Sequence, residues 1–346
     1  MSNAAEQWMR RAIELSKNGF PAPNPHVGCV IVKNGEIVGE AYHDHAGAPH
    51  AEVVALTQAR EKANGADVFV TLEPCNHQGR TGPCSQALIQ AGVANVTAAC
   101  LDPNPKAKGG LKALKESGVK VSHGLMQKEA SAANEVFLKS MEQRSPYLVG
   151  KVAMSLDGRV AMPNGDSKWI TNEASRAIGH RLRAECGAVL VGRNTVARDN
   201  PHLTARVEGV VNQPKRIVLD PNSALSGMEH VFDNTAPTLH VVKQPVREGQ
   251  IKAPMTETGI DLSQLLMDLF EQGIIGILVE GGPVTLGHFI QQKLLDRLEV
   301  FIAPKALGAG PSWLSSNLEN LEDAFGFRLD CVSNVEGDLW ATYRPV

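Results

Sequence analysis

Aromatic residues make up only 5% of this 346-residue chain and cysteines number six, while no apolar run approaches the roughly 20 residues of a membrane-spanning helix. Six cysteines (Cys29, Cys75, Cys84, Cys100, Cys186, Cys331) are too sparse for a disulfide scaffold in a chain of this length, so a reducing cytoplasmic location is expected. An excess of positive charge is also lacking. Lys and Arg number 34 against 37 Asp and Glu, a net charge of −3, which argues against a broad nucleic-acid footprint and leaves room for a local basic pocket. The segment Met1–Gly19 carries Glu6, Trp8, Arg10, Arg11 and Glu14 at helical spacing and has no apolar stretch of the secretory kind. Nowhere does Gly-x-Gly-x-x-Gly follow a strand pattern, so a standard Rossmann dinucleotide site is not expected.

What is present is the balance of a globular protein, 43% hydrophobic and 21% charged, and long enough for two cores. A helix from about Ala4 to Gly19 precedes two strands joined by Asn34-Gly35, a strong hairpin signal. Helices at about Ala51–Asn64, Cys84–Gly92, Leu111–Ser117 and Lys128–Gln143 then alternate with strands at Asp67–Leu72, Val93–Cys100 and Val119–Ser122. Ser145-Pro146 ends the last helix and places a boundary there, giving domains 1–145 and 146–346. The second half again mixes strands and helices: strands at Tyr147–Ser155, Ala188–Gly192, Arg216–Asp220, Thr238–Lys243, Gly276–Glu280 and Leu298–Ala303, helices at Glu173–Cys186, Ser263–Gln272 and Pro283–Lys293, and a β-rich tail. Both halves read as α/β.

The first half carries the sharper chemistry. His50-Ala51-Glu52 opens a helix, Glu73-Pro74-Cys75 follows a strand, and Cys84 begins the next helix. One imidazole and two thiolates give zinc three protein ligands and leave a fourth position for water, as a catalytic site requires. Zinc lowers the pKa of its water towards neutrality, and Glu52, not a ligand, is placed to take that proton and pass it to a leaving amine. The zinc-deaminase pattern His-x-Glu with Pro-Cys-x-x-Cys is kept, except that eight residues separate the two cysteines. That loop holds His77, Arg80 and Thr81, suited to a substrate phosphate or sugar. The competing reading is a closed structural site with His77 as fourth ligand, which leaves Glu52 without a purpose. The other four cysteines read as buried apolar residues.

The runs Pro23-Asn24-Pro25-His26-Val27-Gly28, Pro49-His50-Ala51-Glu52-Val53 and Thr71–Cys84 together resemble the bifunctional pyrimidine deaminase–reductase family of riboflavin biosynthesis. That family usually has serine where Asn76 stands and proline where Gly82 stands. The resemblance implies a cytidine-deaminase-like three-layer first domain and a dihydrofolate-reductase-like second domain, with one Zn²⁺ and NADPH as cofactors. It implies hydrolysis of the 2-amino group of 2,5-diamino-6-ribosylamino-4(3H)-pyrimidinone 5′-phosphate, then hydride transfer to the sugar C1′ to give the ribityl group. By the same resemblance Asn24 and His43 would face the substrate, although on sequence alone a turn and a surface position account for them equally well.

In the second half, two strand ends run into glycine: Gly276–Glu280 into Gly281-Gly282-Pro283, and Ala188–Val191 into Gly192-Arg193-Asn194-Thr195. By the same resemblance, Ala153, Trp169, Thr195, Asp199 and Gly282, Pro283, Val284, Thr285, Leu286, Gly287 and His288 would line the NADPH site. Ser167, Arg183, Leu203, Arg206 and Glu280 would meet the substrate, with Arg183 and Arg206 suited to its phosphate. Lys151 and Asp199 fit either proton transfer or a structural ion pair. The expected partner is thus a phosphorylated pyrimidine, not nucleic acid or membrane, and a homo-oligomer is the common default. The rival readings are a nucleoside or tRNA deaminase joined to an unrelated domain, and a binding protein on a retired enzyme fold.

Overall fold

The computed structural model describes residues 3–77, 82–316 and 318–346. Two compact units divide the chain, Met1–Gln143 and Arg144–Val346.

The first unit contains α1 (Asn3–Ser16), β1 (Gly28–Lys33), β2 (Glu36–Tyr42), α2 (Ala51–Ala59), β3 (Asp67–Leu72), α3 (Cys84–Gln90), β4 (Asn95–Cys100), α4 (Gly110–Glu116), β5 (Lys120–His123), α5 (Gln127–Ala133) and α6 (Glu135–Gln143). Asn34 and Gly35 both adopt positive φ, 53° and 81°, the twist that a two-residue hairpin between β1 and β2 requires. The sheet runs β2-β1-β3-β4-β5, antiparallel across β1 and parallel from β3 to β5. Because β3 and β4 are parallel, the chain leaves both at the same edge, and the loop bearing Cys75 starts there. The expected single helix over Lys128–Gln143 is instead broken at Asn134, whose side chain accepts a hydrogen bond from the His26 backbone N–H. A partner 108 residues away outweighs local helical preference at that point.

The second unit contains β6 (Tyr147–Ser155), α7 (Glu173–Cys186), β7 (Ala188–Gly192), α8 (Arg193–Asp199), β8 (Lys215–Leu219), β9 (Thr238–Val242), β10 (Gln250–Lys252), α9 (Leu262–Glu271), β11 (Gly276–Val279), α10 (Pro283–Gln291), β12 (Arg297–Ala303), β13 (Phe327–Val335) and β14 (Asp338–Pro345). Its nine-stranded sheet has the order β10-β9-β8-β7-β11-β6-β12-β14-β13, parallel as far as β12 and antiparallel beyond. The inner strands read as unbroken apolar runs because helices cover both faces, and Val189, Leu190, Ile217, Ile277 and Val279 are fully buried. Asn172 caps α7 through the Ser175 N–H, and Gly187 ends it at φ 73°. The residues after Gly192 form the short helix α8. With seven residues it shows too little periodicity to stand out in the sequence.

Candidate active sites

In the first unit, β3, α2 and α3 bring His50, Cys75 and Cys84 together, with their ligand atoms all within 4.8 Å of one another. His50 Nδ1 lies 3.2 Å from Cys84 Sγ and 3.6 Å from Cys75 Sγ. Tetrahedral zinc at its usual bond lengths separates such ligand atoms by about 3.6 Å, so the donor set fits the ion. The Cys84 thiol and His50, together with the Cys84 backbone N–H, hydrogen-bond to Cys75 and hold its thiol at about 4, a ready thiolate. Cys84 shifts upward, because its hydrogen bond to Cys75 and its burial both favour the protonated form. No fourth protein ligand joins this group among the described residues, and His77 stands outside it at an exposed position. Arg80 and Thr81 lie outside the described residues.

Glu52 sits in the first turn of α2, only 3% exposed, and its side chain hydrogen-bonds to Cys84. Burial pushes its carboxyl up to about 7, against the pull of His50. A carboxyl poised there can both accept and return a proton at neutral pH. His43 is 2% exposed, so it is no surface residue. Its Nδ1 pairs with the Pro49 carbonyl at 3.2 Å, which makes it the donor and leaves Nε2 to accept from the Asn24 amide at 3.0 Å. Burial lowers His43 to about 4, keeping it neutral in that tautomer. Its ring meets the His50 ring edge-on at 5.2 Å, so the pair fixes Asn24 next to the candidate metal centre. One supporting residue was not legible as such. Glu73 is buried and accepts from the N–H groups of Asp102, Gly109 and Leu111, which ties the Cys75 loop to the start of α4.

The second unit holds a cleft of about 1470 Å³ at the strand ends. Nearly all the expected residues line it: Ala153, Trp169, Thr195, Asp199, Gly282, Pro283, Val284, Thr285, Leu286 and His288, with Ser167, Arg183, Leu203, Arg206 and Glu280. Gly287 does not. It is buried in α10, where a Cβ would come within 2.7 Å of the Ser315 carbonyl, so its lack of a side chain serves packing. At Gly282 the nearest atom to a Cβ position is Thr195 Oγ1 at 4.0 Å, and bare backbone faces the cleft before α10. Volume, exposed backbone and apolar walls fit an extended dinucleotide.

Val279 pairs with Gly150, so the next residues, Glu280 and Lys151, lie side by side, Nζ to Oε2 3.9 Å. From α7, Arg183 grips both Glu280 oxygens at 2.6 and 2.9 Å and donates to the Thr204 carbonyl. Burial opposes the charge on Glu280, yet Arg183 and Lys151 outweigh it and hold the carboxyl down to about 2. Burial lowers Lys151. The expectation that Arg183 offers its fork to a phosphate therefore meets a competitor, since Glu280 already occupies it. Lys151 here is part of a buried ion cluster. Arg176, not anticipated, stacks its guanidinium 4.5 Å from the centre of the exposed Trp169 ring.

Residues 146–334 match the family model described as the RibD C-terminal domain, and residues 2–100 match the cytidine and deoxycytidylate deaminase zinc-binding region. The chain is similar to the riboflavin biosynthesis protein RibD of Aquifex aeolicus, 43% identical over 346 residues and covering 96% of each protein. It is equally similar to that of Escherichia coli, 43% identical over 357 residues, with 96% of this chain and 97% of that one covered. Among solved structures, Acinetobacter baumannii RibD matches with a TM-score of 0.90 at 39% identity over 99% of both chains. The diaminohydroxyphosphoribosylaminopyrimidine deaminase/5-amino-6-(5-phosphoribosylamino)uracil reductase of Thermotoga maritima matches with a TM-score of 0.89 at 34% identity, again over 99% of both. With a zinc-type site in one unit, a reductase-type cleft in the next and full-length relatives covering both, the chain belongs to the RibD family of bifunctional riboflavin-biosynthesis enzymes.

Proposed function

We propose that His50, Cys75 and Cys84 hold one zinc ion and that Glu52 carries the proton in hydrolytic loss of the 2-amino group from the diaminopyrimidine phosphate. The burial of Glu52 against Cys84, with its carboxyl at about 7, is the observation that carries this reading. When bound, zinc supplies a Lewis acid that makes water nucleophilic near neutral pH. Glu52 takes a proton from the water and returns it to the departing amine, while Asn24, held by the neutral His43, orients the ring. The buried site keeps bulk water away, which strengthens each of these contacts.

The second unit reduces the ribosyl group to ribityl. When bound, NADPH supplies the hydride, delivered at the sugar C1′. Ala153, Trp169, Thr195, Asp199 and the Gly282–His288 segment, without Gly287 in direct contact, hold the cofactor. Ser167, Leu203 and Glu280 meet the sugar, and Arg206, whose side chain is exposed at the cleft, binds the phosphate. Arg183 and Lys151 fix Glu280 as a carboxylate, a hydrogen-bond acceptor for sugar hydroxyls. A nucleoside or tRNA deaminase joined to an unrelated domain gives way to this reading, because residues 146–334 match the family's own second domain. A cytoplasmic location agrees with six free cysteines, and no helix among the described residues is long and apolar enough to cross a membrane. A homodimer is the assembly proposed.

The test is to incubate the zinc-loaded protein with the diaminopyrimidine phosphate, with and without NADPH. Ammonia release without NADPH, and ribityl product only with it, is the expected result. No ammonia from zinc-loaded protein, or full zinc retention in both Cys75→Ala and Cys84→Ala, overturns the first-site assignment.

A further inference from the structure

The cations of the second-unit cleft divide into engaged and unengaged. Arg183 is locked on Glu280, and Arg176 donates to the Thr171 carbonyl and lies over Trp169. Lys168, Arg193, Arg198 and Arg206 also line the cleft, and none of the four has a side-chain ion pair or hydrogen bond among the described residues. NADPH and the substrate each bring a terminal phosphate dianion, so more than one free cation has work to do.

The sheet separates these cations. In the order β8-β7-β11-β6, the Glu280–Lys151 pair marks β11 and β6, where the reducing end of the cofactor belongs. At about 4.8 Å per strand, the end of β8 lies roughly 10–14 Å away, the reach of a dinucleotide towards its adenosine. Gly192 of β7 pairs with Leu219 of β8, so Arg193 and the segment Pro221–Asn222 leave neighbouring strands at one level, and all three line the cleft. We propose that Arg193, beside Asn222, reads the 2′-phosphate of NADPH and thereby sets the preference for NADPH over NADH. This rests on the cleft being the NADPH site.

The neighbouring acid supports the assignment. Sites that prefer NADH place a carboxylate against the ribose 2′-hydroxyl, whereas an arginine accommodates the phosphate. The carboxylate at the end of β8, Asp220, is fully buried and absent from the cleft wall. Its oxygens accept from the Ala224 and Leu225 N–H groups and from His240 Nε2 at 3.1 Å. Among the described residues, no carboxylate at that strand end therefore faces the cleft. The other two free arginines are less suited. Arg198 lies about 7.5 Å further along α8 and next to the exposed carboxylate of Asp199. Arg206 stands with His180, on the Glu280 side of the cleft, where the substrate phosphate is assigned.

Equilibrium binding of NADPH, NADH and 2′,5′-ADP to the full-length parent, Arg193→Ala, Arg193→Lys and Arg198→Ala tests this. Arg193→Ala should weaken NADPH and 2′,5′-ADP on the order of 10- to 100-fold, the worth of a charged hydrogen-bond pair, and leave NADH within about twofold. Arg193→Lys should recover part of the loss, and Arg198→Ala should leave all three ligands close to the parent. Equal losses for NADPH and NADH in Arg193→Ala, unchanged NADPH binding, or an NADPH-specific loss in Arg198→Ala each overturns the proposal. A parent that binds no NADPH refutes the cleft assignment itself. A parent that binds it, with Arg193→Ala unaffected, refutes only the role of Arg193.

Discussion

At the scale of the residue, the two sites use burial in opposite ways. Among the described residues Glu52 has no cation in hydrogen-bond contact, so desolvation wins and its carboxyl rises to about 7. Glu280 is also largely buried, its side chain 10% exposed, but a bidentate arginine and a lysine reverse the outcome and it falls to about 2. Glu52→Gln keeps shape and should retain zinc while losing about 10²–10⁴-fold in deaminase turnover, measured as ammonia release. Turnover near the parental rate would place the proton relay elsewhere. For Glu280, the carboxyl binds its proton more weakly folded than unfolded, where the ordinary value is 4.5. Its stabilisation is therefore complete above that pH and fades as the pH falls towards 2. Glu280→Gln leaves Arg183 and Lys151 buried without their carboxylate, which should cost about 3–5 kcal/mol at pH 7. Urea titrations of parent and variant should show that gap narrowing below pH 4.5. A constant gap down to pH 2.5 would contradict the ion cluster.

At the scale of the element, the loop bearing Cys75 is positioned by a helix that contributes none of the candidate ligands. Glu73 collects the backbone N–H groups of Gly109 and Leu111 at the start of α4 and of Asp102 just after β4, and a Cβ on Gly110 would fall 1.8 Å from the Pro74 carbonyl. The first turn of α4 thus presses directly on the residue before Cys75. Gly110→Ala must displace one or the other, an overpacking that typically costs about 1–3 kcal/mol. The expected signature is a lower melting temperature together with faster zinc loss to a chelator. Normal zinc retention at a lowered melting temperature would mean that α4 supports the fold without holding the loop.

At the scale of the whole molecule, each site is contained in one unit. The candidate ligands and Glu52 fall between residues 50 and 84, and the cleft is lined from Lys151 to Ser316. Glu52→Gln should therefore leave reduction of supplied deaminated substrate unchanged. Arg183→Ala should depress reduction by freeing Glu280, and spare deamination. Steady-state kinetics of both half-reactions on both variants decides the matter. If each substitution lowers both activities equally in folded protein, the sites are not separate.

What the sequence determined by itself was whatever short-range pattern controls. The strand Tyr147–Ser155 and helix Glu173–Cys186 were legible to the residue, because apolar runs, an Asn cap and a closing Gly all act locally. The clustering of the three candidate zinc ligands was legible because two of them open helices and the third follows a strand, where a short motif suffices. Tertiary structure alone decided what depends on distant partners. Asn134 breaks a helix for the sake of His26, and Asp220 is taken from the cleft by His240 and its own loop. Arg183, read from the sequence as a phosphate fork, spends it on Glu280, 97 residues away. A guanidinium shows its type in the sequence, but whether its donors are free is settled only when the strands and helices bring a carboxylate within 3 Å or leave it facing a cleft.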